Sequence, residues 1–554
     1  MNKLLLIGLL IFAFVVVMWL YEKYHKYQIH KQVRNAWGQL PHPSRTFDDE
    51  KSLRKAWELY ERYHPHDSRI DELTWQDLDV FSVFQQLNGT YSSIGSEALY
   101  RHLRSYNFSQ TEQERLETLI LYLNEHQNVR EQLQMYFAFL GKKDHNSVEE
   151  YLNETTNKKI AHFALYVFLG LLPLIAGTAS LLFSTASLYL VTLGSVVFNA
   201  IYYQIKKQQL EMELSCMSYF VQAISTAKKL VQLKTPYQTE LQAALSKIGS
   251  VTIFGFSFRV KTNSEAEIIF DYLSMILMLP FIAYQLVLSK LLNHHQAADQ
   301  LWRLMGELEV AAAVLNFRLA MPETCQPIFT ESVTVLGKEV YHPLLAEPVA
   351  NDVDWQVNTL VSGSNASGKS TYVKSVALSC LLAATVHTAL AEEFSLPHAH
   401  IFTSMAIEDD LFEGDSYFIA EIKSLKRILN VVETKTPCLC FIDEILKGTN
   451  TIERVAASAS IVAWLNTYPS LAFVATHDIE LTEILKNSCK NVHFEEQIDE
   501  ENGIIFDYQL KEGASQTSNA IKLLQVLSYP PAIAEQAKTA AAFFKKERRW
   551  TRLP

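Results

Sequence analysis

The residues whose types and spacing point most directly to chemistry are Gly363-Ser364-Asn365-Ala366-Ser367-Gly368-Lys369-Ser370-Thr371, of the form G-x-x-x-x-G-K-[ST]. They follow a short apolar run, Asn358 to Ser362, and open an alanine- and leucine-rich segment that reads as a helix to about Leu390. Strand, glycine loop and helix together make a phosphate site. The glycines let backbone N–H groups close around an anion, and the helix presents its positive end to it. In such a site Lys369 reaches the β- and γ-phosphates and Ser370 ligates Mg²⁺. The expectation is a nucleoside-triphosphate site that uses ATP and Mg²⁺.

Three further stretches carry chemistry. Pro437 to Glu444 is an apolar strand ending in two acids, about 75 residues beyond Lys369, with Gly448-Thr449 just after it. Asp443 would hold Mg²⁺, directly or through water, and Glu444 would polarise the attacking water. Leu471 to His477 is another apolar strand, ending in a histidine. His477 could hydrogen-bond the γ-phosphate and report its hydrolysis, or cap a following helix over Glu480 to Lys486. Asp409 to Phe418 is a loop leading into a helix from Ala420. Its backbone N–H groups and the Ser416 hydroxyl could bind phosphate, or Ser416 could be an ordinary N-cap.

The chain that must position these groups has 554 residues, too many for one compact core. Its formal net charge of −11 leaves no global basic footprint for nucleic acid, although a local DNA-contacting face is compatible with it. The six cysteines are scattered without a C-x-x-C pair, a usage that suits a reducing cytoplasm. Cys438 and Cys440 fall on one side of an apolar strand, as core thiols do.

Leu4 to Leu20 is apolar and uncharged, and Glu22, Lys23, Lys26, Lys31 and Arg34 follow. A span of about 18 residues just crosses a hydrocarbon core. Bulky Trp19, Leu20 and Tyr21 stand where a cleaved signal would place small residues. The expectation is an uncleaved anchor with the following chain in the cytoplasm. Phe163 to Tyr203 contains no Asp, Glu, Lys or Arg. Flanked by Lys158, Lys159, Lys206 and Lys207, it reads as a membrane hairpin turning near Ser180 to Ser187. Tyr272 to Ser289 is weaker, with Pro280 inside; a further crossing would export the phosphate site, so it reads as a buried helix. Ser109 to Arg130, Gln208 to Leu233 and Asp299 to Arg318 also read as helices.

Taken as an ordered set, the motifs resemble the ATPase domain of the MutS family of DNA mismatch-repair proteins, an ABC-type fold. The residues that carry the resemblance are His342-Pro343, Asn365-Ala366-Ser367-Gly368-Lys369-Ser370-Thr371-Tyr372, Ile401-Phe402-Thr403, Asp409-Asp410-Leu411 with Gly414 and Ser416, Asp443-Glu444-Ile445 with Gly448-Thr449, Ala475-Thr476-His477 with Glu480-Leu481-Thr482, and Leu510 to Ala514. Upstream, Asp77-Leu78, Gly89-Thr90, Gly95, Leu99 and Leu103 resemble the start of the family's helical core. The fold expected is therefore an α/β ABC-type P-loop ATPase domain, 331–554, behind an all-α core and lever domain, 23–157 and 206–330. A transmembrane anchor, 1–22, and a transmembrane hairpin, 160–205, complete it. The resemblance also implies a homodimer with composite ATP sites, Ser416 acting in trans on ATP held by the other subunit's Lys369. Closure on ATP and release on hydrolysis would then drive the helical levers.

Departures are equally definite. The N-terminal mismatch-reading domain that carries the family's Phe-x-Glu wedge is replaced by the expected membrane anchor, and a hairpin interrupts the helical core. Pro348, Val349 and Ala350 stand where the family carries an adenine-stacking aromatic. Asn450 replaces the usual serine after Gly448-Thr449, and Thr517-Ser518-Asn519-Ala520 replaces Lys-Ser-Tyr-Gly. The leading expectation is a multi-pass membrane ATPase, cytoplasmic in its catalytic part, that binds mismatched or branched DNA. The alternative is an ATP-driven membrane scaffold or switch acting on an unknown protein partner. An exporter is disfavoured, because three crossings leave little room for a pore.

Overall fold

A computed structural model describes residues 3–41, 49–65, 68–143, 148–153, 163–258, 272–364, 367–405, 417–499, 503–515, 521, 524, 529–547 and 549–552. Three expected site residues, Asn365, Ala366 and Ser416, lie outside them. The chain divides into two compact units. A helical unit comprises 1–67, 84–101 and 110–320, and a mixed α/β unit comprises 68–83, 102–109 and 321–554.

In the helical unit the N-terminal helix does not stop where the basic residues begin; it runs Lys3–Ala36. No Gly or Pro between Leu20 and Ala36 breaks it. Its last turns are tied down: Val33 is buried, and Arg34 Nε donates to Glu131 at 2.9 Å. Just beyond, the Gly38 N–H donates to Asn316 Oδ1 at 2.8 Å.

Helices Phe163–Phe183 and Ala186–Gln209 form a helical hairpin, turning at Ser184, whose φ is 49°. Both are long and apolar enough to cross a membrane. Leu181, Leu182, Phe183 and Leu190 around the turn are exposed, Leu182 at 79 %. Away from the turn the hairpin is pinned. Pro173 has no N–H to offer the carbonyl of Leu169, four residues back. Fully buried Asn199 replaces it, donating from Nδ2 to Leu169 O at 2.6 Å and to Ile276 O at 2.7 Å.

Several expected helices prove to be broken. The stretch 272–289 is interrupted at Met278, φ 56°, after which Leu279–Asn293 begins with Pro280 in its first turn. It is buried through Phe281, Tyr284, Val287, Leu288 and Leu291, and the Phe281 ring lies 5.0 Å from Tyr166 and 5.3 Å from Tyr203. Ser109 to Arg130 is split at His126 into Gln110–Glu125 and Gln127–Leu140, because His126 leaves helical geometry at φ −109°, ψ 67°. Glu211–Leu230 starts afresh after Leu210, φ −116°.

The α/β unit contains strands β1 (Ile328–Thr330), β2 (Val335–Val340), β3 (Asn351–Trp355), β4 (Thr359–Ser362), β5 (Glu393–Pro397), β6 (His400–Ser404), β7 (Cys438–Asp443), β8 (Ser470–Thr476), β9 (Lys490–His493), β10 (Glu496–Asp499), β11 (Gly503–Phe506) and β12 (Lys511–Glu512). The main sheet has the order β12-β9-β4-β8-β7-β6; β9, β4, β8, β7 and β6 run parallel and β12 closes the edge antiparallel. Strands β4 and β8 are buried at every residue, as parallel strands covered on both faces must be. A second sheet, β1-β5-β2-β3, delivers Trp355 into the core, its ring 5.1 Å from both Phe441 and Phe473. A small hairpin pairs β10 with β11.

Two stretches assigned from the sequence to the helical core, 68–83 and 102–109, pack instead with the α/β unit. Their hydrogen bonds explain why. The Asp77 carboxylate accepts from Thr403 Oγ1 at 2.7 Å and from the Met405 N–H at 3.0 Å. The Tyr106 hydroxyl donates to Ile401 O and accepts the Ile401 N–H, each at 2.9 Å.

Candidate functional site

Parallel strands bring their carboxyl ends to one edge of a sheet, and loops leaving that edge are where open α/β sheets bind ligands. The register here fixes which residues meet. Ser362, the last residue of β4, lies beside Thr476 of β8, and Asp443, the last of β7, lies beside Ala475. The loops after β4, β7 and β8 therefore open side by side.

The loop after β4 can close only with glycine at its ends. Gly363 has φ 145°, and a Cβ there would lie 2.7 Å from the Phe494 carbonyl oxygen. Gly368 has φ 101°, and a Cβ there would press on the Tyr508 ring at 3.0 Å. Both conformations lie where side chains are strained. Helix Lys369–Val386 starts directly after Gly368. It stops short of the expected Leu390 because His387 turns left-handed, φ 53°.

Lys369, only 4 % exposed, folds back over this loop. Its Nζ donates to Gly363 O at 2.8 Å and to Ser364 O at 2.7 Å, and lies 3.4 Å from His477 Nδ1. Burial lowers its pKa to about 8, against the pull of Asp443, Glu444 and Glu496. Ser367 Oγ donates to Ser364 O at 2.8 Å, and Ser364 Oγ to the Glu496 carboxylate at 2.7 Å. Ser370 and Thr371 complete the first turn of the helix beside Lys369.

His477 does not cap the next helix, Ile479–Ile484. Its Nδ1 lies 2.8 Å from Gly363 O, and its Nε2 lies 2.7 Å from Glu444 Oε1. Glu444 stands at φ 62° with its N–H donated to Ala475 O at 2.9 Å, so the β7–β8 ladder aims it at the histidine. Lys447 Nζ lies 3.4 Å from its other oxygen. Burial pushes the Glu444 carboxyl up, but His477 and Lys447 outweigh it and hold the group below its usual range. Asp443 ends β7 half-exposed beside these groups.

The structure thus brings Gly363, Ser364, Ser367, Gly368, Lys369, Ser370, Thr371, Asp443, Glu444 and His477 to one edge of the sheet. It also adds groups that the sequence reading passed over. Arg454 grips Asp478 through two bonds, 2.9 and 2.5 Å, immediately after His477. Tyr508, stacked on Phe506 at 5.7 Å, lies over Gly368. Glu421 and Glu496 are buried acids facing the site loops. Only Asp478 had a local signal, standing next to the strand-ending histidine. Asn450, noted as a departure, is an N-cap whose Oδ1 accepts the Glu453 N–H at 3.0 Å.

The chemistry of this donor set fits a magnesium triphosphate. A buried ammonium and backbone that tolerates no Cβ suit close approach of an anion. The Ser370 hydroxyl and Asp443 carboxylate are hard oxygen ligands of the kind Mg²⁺ takes in small number alongside phosphate oxygens.

Residues 359–545 match the family profile described as MutS domain V. The chain is 28 % identical over 314 residues to MutS protein homolog 4 of Homo sapiens, covering 53 % of this chain and 32 % of that protein. It is 29 % identical over 248 residues to the DNA mismatch repair protein MutS of Thermus thermophilus, covering 44 % and 30 %. It is 31 % identical over 226 residues to the DNA mismatch repair protein MutS of Listeria monocytogenes, covering 38 % and 26 %. Residues 359–545 belong to the MutS family. The chain spans about a third of the length of the curated MutS relatives it matches. The MutS domain V match begins at β4 and includes every candidate group on the loops after β4, β7 and β8; the hairpin helices lie outside it.

Proposed function

We propose that this chain is a MutS-family, Mg²⁺-dependent ATPase with an ABC-type P-loop domain. The observation that carries the reading is a linked set: Lys369 and His477 meet at the Gly363 carbonyl, and His477 in turn bonds Glu444. Residues 363–371 wrap the phosphates, and Lys369 exchanges its loop carbonyls for phosphate oxygens. Ser370 and Asp443 hold the metal, which supplies charge neutralisation at the β- and γ-phosphates when bound. Glu444, kept ionised by His477 and Lys447, accepts a proton from the attacking water. His477, bridging Glu444 and the phosphate loop, registers loss of the γ-phosphate. In the homodimer Ser416 of each subunit completes the other's site.

Residues 1–22 and 160–205 tether the chain to a lipid bilayer, with the α/β unit in the cytoplasm. The exposed leucines of the hairpin turn support this: a run of large apolar side chains in water is unfavourable, at roughly 25 cal/mol per Å². The tethered ATPase acts on DNA, in a mismatch-repair-like role on mismatched or branched substrates. The second reading, a switch for a protein partner without DNA, rests on the −11 charge, which supplies no general phosphate-binding surface.

Binding of the detergent-solubilised chain to homoduplex, mismatched and branched DNA, titrated with salt, separates the two. The DNA reading requires affinity that falls steeply with salt. ATP turnover without binding to any of the three would leave only the switch. Cysteine labelling at 180–187 from outside intact cells supports the tether, and labelling only after permeabilisation overturns it.

A further inference from the structure

Helix Tyr417–Glu433 carries an acid that no part of the hydrolysis scheme uses. Glu421 is 2 % exposed. Its Oε1 accepts the Lys447 N–H at 3.0 Å, and the amides of Leu446 and Gly448 lie near enough to stabilise the same charge. Its Oε2 is buried without a hydrogen-bond partner among the described residues.

The loop it faces is unusual. Glu444 and Leu446 both adopt left-handed backbone, φ 62° and 59°, although neither is glycine. Each such residue costs on the order of 1–3 kcal/mol and persists only where the surroundings enforce it. Successive N–H groups in this geometry form a concavity that favours an anion. Here the anion comes from the chain itself. One turn before Glu421, Phe418 closes the same loop from the side: a Cβ on Gly448 would lie 3.1 Å from the Phe418 Cβ. Phe418 and Glu421 therefore hold residues 446–448 as a pair, three residues apart on one helix face.

The geometry points to Glu421 as a positioning residue for hydrolysis: it fixes the 446–448 loop, and through that loop the placement of Lys447 and Glu444. Glu421 touches neither nucleotide nor metal. It makes the orientation of helix Tyr417–Glu433 a control on the general base, so that shifting the helix disarms hydrolysis while leaving the phosphate loop intact. The inference rests on the ATPase reading of the site.

The test compares Glu421→Ala and Glu421→Gln in the full detergent-solubilised chain. Three quantities are read: amide hydrogen exchange across 444–450, affinity for ATP, and single-turnover hydrolysis. In Glu421→Ala, exchange of the loop amides rises about tenfold or more, because their acceptor is gone. Hydrolysis slows by at least about tenfold while ATP affinity stays within about twofold, the pattern of a group that acts only on the chemical step. Glu421→Gln keeps an acceptor oxygen, so its exchange stays within about threefold of the parent; Glu421→Leu, closer in volume but without an acceptor, carries the alanine expectation if the alanine variant does not fold. Unchanged exchange and turnover in Glu421→Ala would overturn the assignment, as would equal losses in affinity and rate. Failure of the parent reading looks different. There the unmodified chain hydrolyses no ATP, while the exchange comparison still reports whether Glu421 holds the loop.

Discussion

The site edge of the α/β unit and the hairpin of the helical unit solve opposite problems with buried polar groups. Around the loop after β4, Lys369 and Glu421 are buried ionisable groups and Glu444 is partly exposed, and the backbone at Gly363, Gly368, Glu444 and Leu446 is left-handed. In the hairpin, buried Asn199 supplies the hydrogen bond that Pro173 withholds and a second one to Ile276 O. The first region gathers ionisable groups and strained backbone at one edge of the sheet. The second removes an unmet carbonyl so that two apolar helices can stay together. Function is read from the first kind of burial and stability from the second.

Substitutions sharpen that contrast, and the largest effect belongs to the site. Glu444→Gln lowers single-turnover ATP hydrolysis on the order of 10²- to 10⁴-fold, the contribution of a general base. Bound nucleotide is retained as ATP in a closed dimer, visible by chromatography of the quenched complex. Turnover at the parent rate removes Glu444 from that role.

Next in size is backbone strain. Gly363→Val places a branched side chain at φ 145° against the Phe494 carbonyl. It destabilises the α/β unit by at least roughly 1–3 kcal/mol, read in thermal unfolding. An unshifted transition would show that the loop relaxes freely.

A third effect is pH-dependent. The Lys369 ammonium, lowered to about 8 by burial, loses its charge as pH rises through that value. Phosphate favours the charged form, so nucleotide binding takes up a proton above pH 8 and affinity falls toward about tenfold per pH unit. Titration calorimetry in buffers of different ionisation heat detects the uptake, and a flat affinity from pH 7 to 9.5 contradicts it. Glu444 has the opposite sense. Held below its usual range, it stays ionised into mildly acidic solution and loses activity only on further acidification.

The smallest effect tests the hairpin. Asn199→Leu leaves Leu169 O and Ile276 O without their donor, destabilising the pinned end by about 1–2 kcal/mol. Faster exchange around 199 with unaltered ATP turnover is expected; a change in turnover alone would break the contrast between the two regions.

Much of the site was legible because its chemistry is local in sequence. The glycine loop, the acids ending β7 and the histidine ending β8 each follow an apolar run, and such runs become parallel strands whose ends coincide. What stayed hidden depends on pairing across distance. Glu421 and Glu496 are ordinary acids until the fold sets one against Lys447 and the other against Ser364. The helical unit was legible in kind but less so in its breaks. His126 and Leu210 interrupt helices without Gly or Pro at the break, whereas Met278 stands just before Pro280, whose ring and missing N–H stop the earlier helix from running on. The attachment of 68–83 and 102–109 to the α/β unit was equally invisible. It is made by scattered groups such as Asp77, Thr74 and Tyr106 meeting residues some 300 positions later.

Equilibrium binding of ATP with Mg²⁺ to the unmodified chain and to Lys369→Ala bears most directly on the central claim. The phosphate-loop account predicts saturable binding that the substitution weakens by at least about thirtyfold, the loss of a buried cation from a phosphate contact. Equal binding by the two proteins, or none by either, would contradict it.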